Sequence, residues 1–263
     1  TPAVYVSALS IDLKQGVAMT DEQASLAKNF QDFFKIEIAR TKEQKSKVYG
    51  IRYRVYCDEF GYEPIDEFPD KEEKDEYDDF SIHCLIIHKK SGHPAACVRL
   101  VPAFDGQHKA TLLPLELHCE ESIDHEYINN LHLDRETVCE ISRLAIDCLF
   151  RRRTGEKLTR FGEVQGLDFS KQEQRTFSLI AVAALLAAAA LTEINGKPNA
   201  FSLMEPFLPR MMKRSGINFI KAGTDTDYKG VRAPYFIQIQ LALDNMHDDL
   251  KELYIWIYEQ VDD

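Results

Sequence analysis

Residues 138–146, VCEISRLAI, read as a β-strand that has to accommodate charge. Six of the nine residues are apolar, and β-branched residues open and close the run. Glu140, Ser142 and Arg143 nevertheless lie inside it. Charged groups are rarely buried without partners, because removing them from water is costly. Any fold that uses this strand must therefore supply those partners. Side chains alternate along a strand, so Glu140 and Ser142 are expected on one face and Ile141 and Arg143 on the other. Arg99 sits in a similar apolar run, AACVRLV, and the acidic stretch EKDEYD offers Glu73, Asp75 and Asp78. The planar fork of arginine suits bidentate pairing with carboxylates. An ion network of Arg52, Glu73, Asp75, Asp78, Arg99 and Arg143 is expected, either as a pin between loop and sheet or as part of a site. Glu140 and Ser142 are the stronger candidates to face a cleft.

The chain has 263 residues, enough for a substantial core. It is read as one domain, 1–263, with an N-terminal extension over 1–32 and an amphipathic C-terminal helix within 244–263. A net charge of −11 speaks against a generic nucleic-acid binder. The apolar run 179–191 is too short for a membrane span, so none is expected. The first residues lack the pattern of a signal peptide. The six cysteines form no C-x-x-C pair and several sit in apolar runs, as reduced core residues of a cytoplasmic protein would. The histidines lack recognised ligand spacing, and no metal is expected.

Alternation predicts a strand over 33–39. Val48, Ile51 and Val55 stand at helical spacing within 42–56, with Arg52 and Arg54 on other faces. Residues 63–79, acidic and proline-containing, predict a loop. Runs at 82–88 and 95–101 predict a hairpin, whereas 103–137 has no clear pattern. An alanine-rich helix is expected over 177–192 and another helix over 206–214. Strands are expected at 200–204, 217–222 and 235–243. Leu250, Leu253, Ile257 and Val261 mark one face of a helix over 248–261. The fold class is α/β (α+β).

The blocks IRYRVYCDEFGYE, EKDEYD, CVRLV, CEISRLAI and LMEPFLPRMMKRSGINF occur in that order across roughly 48–220. Together they resemble the acyl-homoserine lactone synthase branch of the GNAT acyltransferase superfamily. The matching positions are Arg52, Tyr56, Gly61, Tyr62, Glu73, Asp75, Asp78, Arg99, Glu140, Ser142 and Arg143. Tyr56 and Tyr62 stand where that family carries phenylalanine and tryptophan, and this chain is longer. The motifs FPDKEEKDEYDDFSIH, FRRR and GVRAPYF are more similar to the PEP-CTERM/exosortase-associated acyltransferases, with N-acyl amino acid synthases as further relatives. The resemblance implies a GNAT-like mixed central sheet flanked by helices, with splayed central strands. It implies an amine acceptor beside Tyr56 and Tyr62 and an acyl thioester donor. That donor is acyl-phosphopantetheine, on acyl carrier protein or coenzyme A, with no permanently bound cofactor. The pantetheine arm would lie between the strands at 139–146 and 200–204, and the acyl chain beside the helix at 177–192.

Acylating an amine needs a base, a placed thioester and stabilisation of a developing oxyanion. Glu140 is the candidate base. Ser142 could donate to the thioester carbonyl or reprotonate the thiolate; alternatively its hydroxyl is satisfied by backbone. The run RRRTGEKLTR holds Arg151, Arg152, Arg153, Lys157 and Arg160 against one acidic residue. It suits an acidic acyl carrier protein, a grip on coenzyme A phosphates, or a solvated loop. Ala183, Ala184, Ala187 and Ala188 either border an acyl pocket or let the helix pack tightly. The expected function is N-acyl transfer of a medium or long chain to an amino-acid-like amine. The alternatives are a homoserine lactone synthase using S-adenosylmethionine and a non-catalytic module that binds acyl carriers.

Overall fold

The computed structural model describes residues 25–105, 107–151 and 169–262. Helix α1 (Leu26–Phe33) leads into strand β1 (Phe34–Ile38). Helix α2 (Lys42–Tyr53) begins on a reciprocal cap. The Gln44 N–H donates to Thr41 Oγ1, and the Thr41 N–H donates to the Gln44 side chain. This satisfies donors that a helix start leaves open. The helix then widens into a π-helical stretch, Arg54–Glu59. Strands β2 (Ile82–His88), β3 (Pro94–Pro102) and β4 (Val138–Ile146) follow, with the short helices α3 (Pro114–His118) and α4 (His125–Asn130) before β4. The second half runs α5 (Lys171–Thr176), a 3-10 turn (Phe177–Leu179), α6 (Ile180–Ile194), β5 (Asn199–Met204) and α7 (Phe207–Lys213). It closes with β6 (Ile220–Lys221), β7 (Thr226–Asp227), β8 (Val231–Gln238), α8 (Ile239–Asn245) and α9 (Asp248–Asp262).

The strands form one eight-stranded mixed sheet in the order β1-β2-β3-β4-β5-β8-β6, with β7 paired to β8. Only β4 and β5 pair in parallel; the other pairs are antiparallel. On one face α6 and α9 cover the main core, where Cys84, Ile86, Val98 and Leu100 meet the buried residues of α6. On the other face Val48, Ile51 and Val55 pack on Leu85, Ile87, Cys97 and Ala145. Leu113 and Leu115 close the same face over Val101, Val138 and Phe201. The mixed open sheet between helices is the architecture of a GNAT fold. By length and composition the continuous stretch Lys171–Ile194 is apolar enough to cross a membrane, but 67% of its most apolar window is buried in this core. All six cysteines are free, and five of them are buried.

Three expectations need correction. The run at 235–243 splits: β8 ends at Gln238, opposite Asn199, the first residue of β5. Beyond Gln238 no strand remains to pair with, and Ile239–Asn245 folds as α8 instead. Of 217–222 only Ile220–Lys221 joins the sheet, against Phe236 and Tyr235. The alternation of β4 also fails. Arg99 pairs with Ser142 and Cys97 with Ala145, so one residue of β3 faces two of β4. This is a β-bulge, and Arg143 lies in it at φ 53°.

Candidate active site

The bulge decides where the charges of β4 go. With strict alternation, Arg143 would point into the apolar core with Ile141. Shifted by the bulge, it reaches the same side as Ser142 and meets the acidic loop. Arg143 lies 3.0 Å from Asp75 Oδ2 and 3.3 Å from Glu73 Oε1. Arg52, expected off the apolar face of α2, is instead fully buried and donates to Glu73 Oε2 at 2.5 Å and Asp78 Oδ1 at 2.6 Å. Val48, Arg52 and Val55 follow helical spacing, so the guanidinium lies along the buried face. Arg99 donates to Asp75 at 2.6 Å and Asp78 at 2.8 Å, 5.9 Å from the Tyr77 ring centroid. The six residues of the expected network are thus in contact, and Glu63 and Lys229 extend it.

Burial alone would raise the carboxyl groups of Glu73, Asp75 and Asp78. The adjacent guanidinium charges override it and hold all three below their usual range, Asp78 furthest. His83, fully buried and 3.5 Å from Asp78, responds the other way. Burial pushes its pKa down to about 4 despite the pull of Asp78, so it is neutral at physiological pH.

Glu140 is also buried, on the same face as Val138 and Ser142. Its Oε2 accepts the Leu115 N–H at 2.7 Å. Burial pushes its pKa up to about 7, against the lowering effect of that hydrogen bond and of Arg99. This is the range in which a carboxylate can accept a proton near neutrality. The Ser142 hydroxyl accepts from Arg99 Nε at 3.2 Å. Leu115 went unrecognised in the sequence because its contribution is a backbone N–H.

Next to these residues β4 and β5 separate. Their ladder runs from Val138↔Asn199 to Glu140↔Phe201 and stops. A hydrogen bond from Ser202 Oγ to Ile141 O at 2.8 Å marks the point of divergence. The gap is a cleft of about 240 Å³ lined by residues of both strands, including Ser142, Arg143, Ser202 and Glu205. Tyr56 and Tyr62 form one wall. The Tyr56 hydroxyl donates to Leu144 O at 2.9 Å, tying the π-helical segment to the bulge, and its ring lies 5.6 Å from the Arg143 guanidinium carbon. Tyr62 stacks on Phe60 at 5.2 Å. Behind the cleft lies a narrow apolar cavity of about 40 Å³ that shares Ile141, Leu185, Ser202 and Met204 with it.

Not every expected residue lines these spaces. Glu140 borders neither, standing two residues before Ser142 beneath Leu115. Of the four alanines, Ala188 lines the apolar cavity; Ala183, Ala184 and Ala187 pack into the core. Alanine spacing could not show which turn faces the splay, and Ala181 and Leu185 were missed. Arg151 lines the cleft, pairs with Glu59 and lies 5.3 Å from the Phe60 ring centroid. Arg152, Arg153, Lys157 and Arg160 lie outside the described residues. Arg232, from the motif GVRAPYF, also lines the cleft; the sequence analysis gave it no role.

Residues 51–160 match the acetyltransferase (GNAT) domain. No curated protein matches the chain significantly. Among solved structures, TofI in a ternary complex with an inhibitor and MTA is 19% identical, with a TM-score of 0.56 over 81% of this chain and 95% of that one. The CoA-dependent acyl-homoserine lactone synthase BjaI with MTA is 13% identical, with a TM-score of 0.54 over 85% and 89%. FeeM, an N-acyl amino acid synthase from uncultured soil microbes, is 9% identical, with a TM-score of 0.51 over 81% and 94%. At these identities the likeness is one of fold. The domain match over 51–160, on a fold of this kind, indicates an acyltransferase.

Replacing Arg52 with Leu leaves Glu73 and Asp78 buried with their closest cation gone. The expected loss is about 3–5 kcal/mol in urea denaturation. Glu140 acts in the opposite sense. Its folded pKa is raised, so the stability it contributes falls as pH rises from its unfolded value near 4.3 to about 7. Glu140→Gln should therefore match the wild type near pH 4 and exceed it at pH 8, by up to roughly 3 kcal/mol. A difference independent of pH would show that the carboxylate is not held protonated by burial.

Proposed function

We propose that the chain is an N-acyltransferase that moves a medium or long acyl chain from a phosphopantetheine thioester to the amine of an amino-acid-like acceptor. The splay of β4 and β5 carries the reading. It exposes backbone edges for an extended pantetheine arm, places Ser142 on the cleft wall, and leads toward a narrow apolar cavity whose walls would have to part to admit a hydrocarbon chain. Each methylene buried there would contribute about 0.8 kcal/mol. Met204, Met212 and Met246 among the cavity walls can adjust their shape to a chain.

In this reading the acceptor amine attacks the thioester carbonyl carbon. The new C–N bond forms as the C–S bond breaks, and the thiolate leaves on the pantetheine arm. Glu140 takes the amine proton through water, which its raised pKa favours near neutral pH. Ser142, fixed by Arg99, passes a proton to the thiolate and regains one from Glu140 through water, which restores both groups. Tyr56 and Tyr62 flank the acceptor. An acyl carrier protein brings the donor, guided by Arg151 at the cleft and by the basic residues that follow it in sequence, Arg152, Arg153, Lys157 and Arg160. The likeness to exosortase-associated acyltransferases and the cytoplasmic setting rest on sequence features alone.

The test is thiol release from acyl carrier protein or coenzyme A thioesters in the presence of a panel of amines, with the product identified by mass spectrometry. Methylthioadenosine release from S-adenosylmethionine would instead identify a lactone synthase. Glu140→Gln should slow acylation by roughly 10²–10⁴-fold. The wild-type rate should rise with pH through about 7, because the base must be ionised, and the variant should lose that limb. Activity within a few-fold of wild type would remove Glu140 from the chemistry.

The cavity predicts where chain length is set. Ala188→Phe, facing the cavity, should fold and shift donor preference to a shorter acyl chain. Ala187→Leu, inside the packed core, should cost about 1–3 kcal/mol through overpacking without changing preference. The same preference in both variants would place the chain elsewhere.

A further inference from the structure

Among the described residues three guanidinium groups line the cleft, and two are neutralised. Arg143 is paired with Glu73 and Asp75, and Arg151 with Glu59. Arg232 differs. Among the described residues no carboxylate pairs with it, and its Nε is buried without an acceptor. A buried charged donor left unbonded is costly, so such a group persists where something outside the chain completes it.

The position of Arg232 is well defined. It sits on β8 opposite Thr226 of β7, one residue before Ala233, which pairs with Met204 on the edge of the cleft. Its guanidinium carbon lies 5.5 Å from the ring centroid of Tyr62, which stacks in turn on Phe60. The preceding turn is anchored by Lys229, whose ammonium pairs with Glu63. Among the described residues lining the cleft Glu205 is the one carboxylate, and no ion pair joins it to Arg232. Among the described residues the cleft therefore holds one cation and one anion with no ion-pair partner. A zwitterion would satisfy both. A phosphate would satisfy Arg232 but meet Glu205 as a like charge.

We propose that Arg232 is a specificity-determining residue that binds the carboxylate of the acceptor, so that the acceptor is a free α-amino acid rather than an uncharged amine. Arginine suits this role because its fork can hold a carboxylate by two parallel hydrogen bonds. Stacking on Tyr62 keeps the fork in place. Glu205 supplies the complementary charge for the ammonium end as the acceptor enters. The inference rests on the acceptor site assigned above, but its test does not depend on turnover.

Binding of the twenty amino acids and of their amides to the full-length protein would be measured by calorimetry, with dodecanoyl-CoA as the donor probe. At least one free amino acid should bind the wild type about 10-fold or more tighter than its amide, as expected for a charge-assisted contact. Arg232→Gln should remove that preference while leaving dodecanoyl-CoA binding unchanged. Arg232→Lys, which keeps the charge but not the fork, should restore part of it. The proposal is overturned if no free amino acid binds better than its amide, if the glutamine variant still discriminates, or if the loss falls on dodecanoyl-CoA. Should the glutamine variant fail to fold, undiminished discrimination in the lysine variant overturns it equally. Discriminating binding without thiol release in any donor assay would leave the carboxylate site standing and remove the transferase reading instead.

Discussion

The structure depends on a set of charges removed from water. Arg52, Arg99 and Arg143 come from α2, β3 and β4, while Glu73, Asp75 and Asp78 come from a single loop. Each arginine touches two of the loop carboxylates, and no carboxylate serves only one arginine. Such a cluster is not strong evidence for stability, because desolvation offsets much of the Coulomb gain. Its clearer effect is geometric. It fixes the loop against the sheet and holds Arg99 where its Nε meets Ser142.

The same network explains how two carboxylates on one sheet face come to behave differently. Asp78 is surrounded by guanidinium groups and stays ionised far into acid. Glu140 has a backbone N–H and an apolar surround, so burial dominates and its proton leaves near neutrality. Separation of proton affinities by environment gives a site both fixed charge and exchangeable charge. His83 belongs with the first group in function but not in charge, since it fills space beside Asp78 as a neutral ring.

Much of this was legible before any coordinates. Buried charge in two apolar runs called for an acidic partner, and the spacing of the motifs identified the loop that supplies it. Helix-length alanine content marked α6, and apolar runs marked the hairpin and β4. What could not be read was whatever depended on one residue of register. The bulge at Arg143 moves its side chain across the sheet, yet neither a glycine nor a proline signals it. Arg52 looked peripheral because Val48, Ile51 and Val55 alone were taken to define the apolar face, although Val48 and Val55 are also its own helical neighbours. The end of β8 depended on the length of β5, a partner distant in sequence. Leu115 acts through its backbone, and Arg232 matters because of what it lacks.

The divergence of β4 from β5 has a mechanical side as well. The sheet consists of two antiparallel leaves, β1 to β4 and β5 with β6 to β8. Among the described residues these leaves share a ladder of three residue pairs, all at one end. A short ladder at one end acts as a hinge, while the opposite ends are free of ladder bonds. Past that ladder the Ser202–Ile141 hydrogen bond still joins the leaves, so a wider gap would cost one side-chain bond and leave every hydrogen bond within each leaf intact.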